Sequence, residues 1–345
     1  MYKNIIMKIR VIRNILLKKP ILLVFNVTNR CNERCKMCNI WKQVSNPMPL
    51  ESIKKMAHRL AKFGVGYVYL QGGEPLLRKD IIDIVDIFLN EGIHPTIITN
   101  GILLTPEIAK QIAIRKCNLS ISIDSMNEKK YGELRGGDST TLLKVKKNIE
   151  MCCRAVSSHK GNWAITTTIT HATSKKDIHM IEKFAKTYGF MYAIRPYVFV
   201  KGVAGKRDEN LEYTAESKKY VLDIFYHMYK KAKEENYLAS IIYREHIKYI
   251  KNERLPQCDA MRYSMVMKET GEIFPCLELP ECEFDFDTYH TAHKKYKNLI
   301  CRCSDETPCY WNCARTVGAV VRNKWKIAFH IPEIIKQMRK YGNYF

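Results

Sequence analysis

The chain has 345 residues, 46% of them hydrophobic, and a formal net charge of +22. That is enough apolar material for one large or two modest cores, and no apolar run reaches the roughly 18 residues that a membrane-crossing helix needs. Six basic residues lie in the first twenty without a small-residue cleavage site, which excludes a secretory signal. The thirteen cysteines of such a cytosolic-looking chain then argue for metal ligation rather than disulfides.

The charge gathers at the ends. Residues 1–20 hold Lys3, Lys8, Arg10, Arg13, Lys18 and Lys19 and no acid, and residues 315–345 hold seven basic residues against one acid, Glu333. Such ends suit an anionic partner, whether phospholipid headgroups, nucleic acid or an acidic leader peptide. The plain alternative is a lysine-rich surface that keeps the protein soluble.

In chain order, residues 2–17 read as an amphipathic helix with Tyr2, Ile5, Ile9, Ile12 and Leu16 along one stripe, ended by Pro20. It could lie in a membrane interface, or close the bottom of a barrel with that stripe buried. From Ile21 onward short apolar runs alternate with helical periodicity, the mark of βα units and a parallel sheet. The expected strands are Ile21–Val27, Tyr67–Gln71, Pro95–Thr99, Leu119–Ile123, Ala164–Thr170 and Met191–Tyr197. Helices are expected near Leu50–Lys62, Asp80–Asn90, Pro106–Ile114, Thr141–Arg154 and Asp177–Thr187. Six units make a partial (β/α)6 TIM-like barrel, an α/β fold whose site belongs at the C-terminal strand ends.

Three motifs fall at those ends. Cys31-x3-Cys35-x2-Cys38 follows the first strand, Gly72-Gly73-Glu74-Pro75 the second and Thr99-Asn100-Gly101 the third. A loop this short can wrap three thiolates around one face of an iron–sulfur cube, leaving one iron without a cysteine and open to chemistry. Zinc is the competing ligand, but a structural zinc closes with four ligands and no fourth Cys or His is near. Gly72 and Gly73 let the backbone approach a ligand, and Glu74 offers a carboxylate at the mouth with no structural need for one. In Ser120-Ile121-Ser122-Ile123-Asp124 the alternation sends Ser120, Ser122 and Asp124 to one face.

With these residues in place, the chain from about Ile21 to Arg207 resembles the radical S-adenosylmethionine (radical SAM) superfamily; Met37, where that family usually has an aromatic residue, is a small departure. The resemblance implies a 4Fe–4S cluster on Cys31, Cys35 and Cys38. It also implies SAM bound at the open iron and cleaved by an external low-potential electron donor to a 5′-deoxyadenosyl radical. It implies that Gly72, Gly73, Glu74 and Pro75 meet the methionyl ammonium, with Asn100 close by, and that Ser122 and Asp124 reach the ribose. Asp124 could instead cap the following turn. By the same resemblance Ile169 contacts adenine and Arg195 reaches the SAM carboxylate or substrate, a solvent ion pair being the alternative for Arg195.

Residues 208–255 read as a charged helical connector. Cys117, Cys152 and Cys153, with no partners at ligand spacing, read as core residues. Residues 256–316 hold Cys258, Cys276, Cys282, Cys301, Cys303, Cys309 and Cys313, and a hairpin turning at Thr270-Gly271. This looks like the SPASM domain, and implies one or two auxiliary 4Fe–4S clusters, with Cys258, Cys276, Cys282 and Cys313 on one and Cys301, Cys303 and Cys309 on another. Two clusters would want eight thiolates and seven are present; zinc is again the rival. Phe274, Tyr310 and Trp311 would exclude water.

The expectation is therefore a radical SAM enzyme acting on an unactivated C–H bond. Its rivals are an inactive scaffold, against which Glu74 is taken to speak, and a basic zinc protein on nucleic acid, which lacks aromatic stacking runs. The tail of residues 317–345, with Ile334, Ile335, Met338 and Tyr341 beside Lys336, Arg339 and Lys340, suits a membrane surface. That tilts the substrate toward lipid alkyl chains, with a ribosomal peptide or protein next, and the location toward the cytoplasm and the membrane's cytoplasmic face. No specific nucleic-acid partner is expected.

Overall fold

The computed structural model describes residues 2–341 except 44, 157–161, 200–207, 280 and 307–311, and leaves out the side chains of 2–4, 301–306, 312–313 and 338–341. Eight strands form one sheet: β1 (Leu22–Thr28), β2 (Tyr67–Gly72), β3 (His94–Thr99), β4 (Asn118–Ser122), β5 (Trp163–Ile169), β6 (Met191–Pro196), β7 (Ser264–Met267) and β8 (Ile273–Phe274). Their spatial order is β6-β5-β4-β3-β2-β1-β7-β8. The first helices are α1 (Tyr2–Leu17), α2 (Leu50–Phe63), α3 (Ile81–Asn90), α4 (Pro106–Ile114), α5 (Glu128–Arg135), α6 (Thr141–Ala155) and α7 (Lys175–Thr187). They are followed by α8 (Ala215–Glu235), α9 (Tyr237–Ile250), α10 (Tyr289–Glu306), α11 (Asn312–Arg322), α12 (Lys324–Phe329) and α13 (Ile331–Tyr341).

β1 to β6 pair in parallel in chain order, giving the expected partial barrel. β1 lies between β2 and β7, and all seven of its residues are buried, as an unbroken apolar run requires of a central strand. On β5 burial alternates, with Ile165, Thr167 and Ile169 turned to the helices and Thr166 and Thr168 half-exposed on the inner face. α8 and α9 cover the outer face of β5 and β6 through Phe225, Val221, Ile247 and Ile250 against Ile169 and Ile194.

Two parts differ from the sequence reading. Residues 256–316 are not set apart from the barrel: β7 pairs in parallel with β1, Leu22 opposite Ser264, and Met265, Met267 and Cys282 share the core cluster of Leu23 and Phe25. α1 does close the barrel bottom, but with Met7 and Asn14 buried and Val11 packed on Ile21 and Tyr263, while Ile5, Ile9, Ile12 and Leu16 face solvent. Gly66 makes room for it, since a Cβ there would meet Val11.

Candidate cluster and cofactor site

Cys31, Cys35 and Cys38 lie at the C-terminal end of the strands and, all half-buried, line one cavity of about 290 Å³. The opposing lining comes from five other strands: Gln71, Gly72 and Gly73 at the end of β2, Thr99 and Asn100 at the end of β3, Ser122 on β4, Thr168 on β5 and Arg195 on β6. Among the described residues, no three His, Cys, Asp or Glu side chains converge on a point that one ion would fill. The three thiols are spread around the cavity instead. Burial pushes the Cys31 thiol up to about 11 and the Cys35 thiol well above its ordinary value, so thiolates here need a cation beside them.

The cysteine loop is held from three sides. From β2, Gly73 N–H donates to the Thr28 carbonyl at 2.7 Å and Glu74 N–H to the Arg30 carbonyl at 2.8 Å. Gly72 has φ +132°, and a Cβ on Gly72 or Gly73 would run into the carbonyl of Thr28 or Arg30. The glycines thus serve the close approach of two protein loops rather than the approach of a ligand.

From α5, the carbonyls of Arg135 and Leu134 accept from Arg34 N–H and Lys36 N–H, both at 3.0 Å. The Arg135 guanidinium bridges Glu33 at 3.0 Å, within the cysteine loop, to Asp124 at 2.7 Å, and Tyr131 O–H donates to Glu33 at 3.1 Å. Glu33, Asp124 and Arg135 are all buried. Burial opposes the Arg135 charge, but Asp124 and Glu33 outweigh it and hold the guanidinium well above its usual range. α5 was absent from the sequence reading; its signals were the cap Asn127, accepting from Lys130 N–H at 2.9 Å, and Gly136 at φ +68° beyond its end.

From the turn between β7 and β8, Glu269, fully buried, accepts from Asn29 N–H at 2.6 Å and from Ser45 N–H and O–H at 2.8 and 2.6 Å. One carboxylate therefore ties both ends of the cysteine segment to the C-terminal hairpin. No sequence signal marks Glu269.

Several expected contacts fall elsewhere. Glu74 is 1% exposed, and its carboxylate accepts from Leu76 N–H at 3.0 Å, Thr99 O–H at 2.6 Å and Asn100 N–H at 2.8 Å. It joins the β2 and β3 ends and has the structural job the sequence reading denied it, so it does not count against an inactive scaffold. Burial, opposed by those donors, pushes its pKa up to about 7. Pro75 is buried at the start of a 3₁₀ turn (Pro75–Leu77), not lining the cavity. Asp124 neither caps the next turn nor turns its carboxylate to the cavity: Arg135 and Thr168 N–H, at 2.8 Å, take it, and Ser125 accepts from Asn127 N–H instead. Ile169 packs outward on α8 and α9 and does not line the cavity.

Asn100 lines the cavity while donating to Asn32 at 2.7 Å. Ser122 and Arg195 line it from opposite strands, and among the described residues Arg195 makes no ion pair or hydrogen bond, unlike the solvent pair considered for it. Of the second cysteine group, Cys258 and Cys276 are half-buried and Cys282 fully buried, all against the main core. The Cys301, Cys303, Cys309 and Cys313 side chains lie outside the described residues, as do Tyr310 and Trp311. Cys117 and Cys152 are buried core residues, and Cys153 packs on that core.

Comparison with known proteins now decides the family. Residues 25–186 match the Radical SAM superfamily profile. Those residues, just under half of the chain, form a radical SAM domain. Members use SAM and a 4Fe–4S cluster. Among curated radical SAM relatives, the AdoMet-dependent heme synthase of Methanosarcina barkeri is 29% identical over 62% of this chain and 60% of its own length. The GTP 3′,8-cyclase of Alkaliphilus oremlandii is 38% identical over 37% of this chain and 42% of its own. The chain thus spans about 60% or less of these two relatives. Among solved structures, anSMEcpe with bound AdoMet and a Cp18Cys peptide superposes with TM-score 0.62 at 16% identity, over 91% of this chain and 97% of that one. Streptococcus suis SuiB bound to precursor peptide SuiA gives TM-score 0.59 at 19% identity, over 82% and 67%. At such identities the likeness is one of fold.

Proposed function

We propose that this radical SAM protein is an enzyme that modifies a C–H bond of a peptide or protein, with a 4Fe–4S cluster on Cys31, Cys35 and Cys38. The observation that carries it is the placement of three thiols on one cavity that five other strands complete with polar groups. The residues fit the group: thiols spread around a cavity suit a cube better than a single ion, and the loop is pinned by buried charges that hold it in one shape. Together the reduced cluster and SAM supply a hydrogen-abstracting radical, with the electron from an external donor of low potential.

The chain's own residues bind and orient. Arg195, which has no ion pair or hydrogen bond among the described residues, lines the same cavity as the cysteines and is suited to a carboxylate of SAM or substrate. Ser122, Thr168 and Asn100 offer hydroxyl and amide groups for a ribose or methionyl moiety. Glu74 acts by fixing Asn100 N–H, and Asp124 by fixing Thr168 N–H. One or two auxiliary clusters on the cysteines of residues 256–316 belong to the same proposal.

A peptide substrate is favoured over a lipid chain because the peptide-bound folds superpose over 91% and 82% of this chain. The heme synthase match spans 62% of it. The test is anaerobic reconstitution followed by assay of 5′-deoxyadenosine with wild type and Cys35→Ala, and mass spectrometry of candidate peptides and lipid extracts. SAM cleavage by wild type only, with a peptide mass change of one or two hydrogens or a cross-link, is the expected result. Equal cleavage by Cys35→Ala, or modification of lipid alone, overturns it.

A further inference from the structure

We propose that the bottom of the barrel docks on an anionic lipid bilayer, through the outer face of α1 and the ridge formed by α12 and α13. This stands apart from the substrate reading.

α1 is fixed in place by its inner face. Asn14, fully buried, donates to the carbonyls of Pro20 at 2.8 Å and Phe63 at 3.2 Å. Arg10 donates to the Glu91 carbonyl at 3.0 Å and Arg13 to the Phe63 carbonyl at 3.1 Å, the carbonyl ends of α3 and α2. On the far side, Ile5, Ile9, Ile12 and Leu16 are 50%, 61%, 58% and 68% exposed. Their spacing of four, three and four residues draws one line along the helix, about half a turn from Met7, Val11 and Asn14. A row of aliphatic side chains held outward by a rigid helix is not scattered surface apolarity.

The second ridge follows. Val321, near the end of α11, packs in the cluster of Ile21 and Tyr263 with Val11 and Ile15 of α1. Four residues on, Trp325 is 80% exposed and Phe329 84%, followed by Ile331 at 48% and Ile335 at 43%. Lys8 and Arg13 flank the first row, and Lys324, Lys326 and Lys336 stand beside the second; Glu333 is the single acid in either segment.

That charge pattern selects the occupant. A second copy would bring two basic faces together with Glu333 as the one acid of each to offset them. Protein interfaces are depleted of lysine, and nucleic acid has no use for an aliphatic row. Aliphatic residues, an exposed Trp and flanking lysines are what the headgroup region of an anionic bilayer accepts. The cavity, at the other end of the strands, then faces water.

The experiment is vesicle flotation of the full-length protein under anaerobic conditions. It compares phosphatidylcholine alone with phosphatidylcholine containing about 30 mol% phosphatidylglycerol. Wild type is expected to float with the anionic vesicles and to lose at least about tenfold in binding on neutral vesicles or in about 0.5 M salt. The double variants Ile9→Glu/Ile12→Glu and Trp325→Glu/Phe329→Glu should each lose about tenfold or more, with melting temperature and 5′-deoxyadenosine formation unchanged. No flotation of wild type, or equal flotation of the variants, overturns the proposal. So does a wild-type dimer in light scattering that the variants abolish while vesicles stay unbound, which would assign the face to a second copy.

Discussion

Two sets of side chains satisfy backbone groups of opposite kind at the two ends of the barrel. At the top, where strands end and helices begin, three buried carboxylates accept from backbone N–H groups: Glu74 from Leu76 and Asn100, Asp124 from Thr168, Glu269 from Asn29 and Ser45. At the bottom, where helices end, carbonyls are in excess and the buried or bridging residues are donors: Asn14, Arg10 and Arg13 on Phe63, Pro20 and Glu91. The helix termini dictate this division. It teaches that the acids at the top are framework first, and that the cavity's own polar groups are a different set: Ser122, Thr168, Asn100 and Arg195.

The comparison can be broken at either end. The largest effect is expected at Arg135, the cation between Glu33 and Asp124. Arg135→Met leaves two buried carboxylates unpaired and should cost about 3–5 kcal/mol in denaturant unfolding, with loss of bound iron. Unchanged stability would show that water reaches the pair.

Glu74 sharpens the same end by pH. Its folded pKa, about 7, stands above the ordinary 4.5, so the folded state keeps the proton longer. The stability it contributes is full below 4.5 and is lost as pH rises through 7, by about 3 kcal/mol without SAM. Glu74→Gln should flatten that slope in unfolding curves taken across the range.

Glu269→Gln keeps the shape and exchanges one acceptor for a donor facing N–H or O–H. About 1.5–3 kcal/mol of stability should go, and iron per chain should fall although no cysteine is touched. Full iron retention would mean the hairpin does not position the loop. At the bottom, Asn14→Leu removes the donor to the Pro20 carbonyl, while Arg13 still serves Phe63, and should cost about 1–3 kcal/mol while iron content stays at the wild-type level, which separates framework from site.

Much of this was readable in the chain. Apolar alternation and Gly/Pro punctuation placed all six barrel strands to within a residue or so, because each strand's burial is a local pattern. β7 was missed as a barrel strand because its partner β1 lies some 240 residues earlier, and a hairpin turn says nothing about the outer edge. Ser122, placed by strand alternation, and Arg195, placed by the resemblance, both line the cavity. Ile169 was placed by the resemblance alone; alternation with Thr168 turns it outward. Glu74 and Asp124 were read as ligand contacts because a lone carboxylate shows nothing of the N–H groups that loops from other strands bring to it. On α1 the stripe was read correctly and its direction was not: the buried side is the one with Asn14, whose donor satisfies carbonyls that no apolar side chain could.

The central claim is that Cys31, Cys35 and Cys38 hold a cluster with one iron left for SAM. Electron paramagnetic resonance of the reconstituted, dithionite-reduced protein tests it directly, using a chain in which Cys258, Cys276, Cys282, Cys301, Cys303, Cys309 and Cys313 are all alanine so that the first site is read alone. The account predicts a reduced 4Fe–4S signal that shifts on adding SAM and disappears in Cys31→Ala, Cys35→Ala or Cys38→Ala. A signal indifferent to SAM, or one that survives loss of all three, would contradict it.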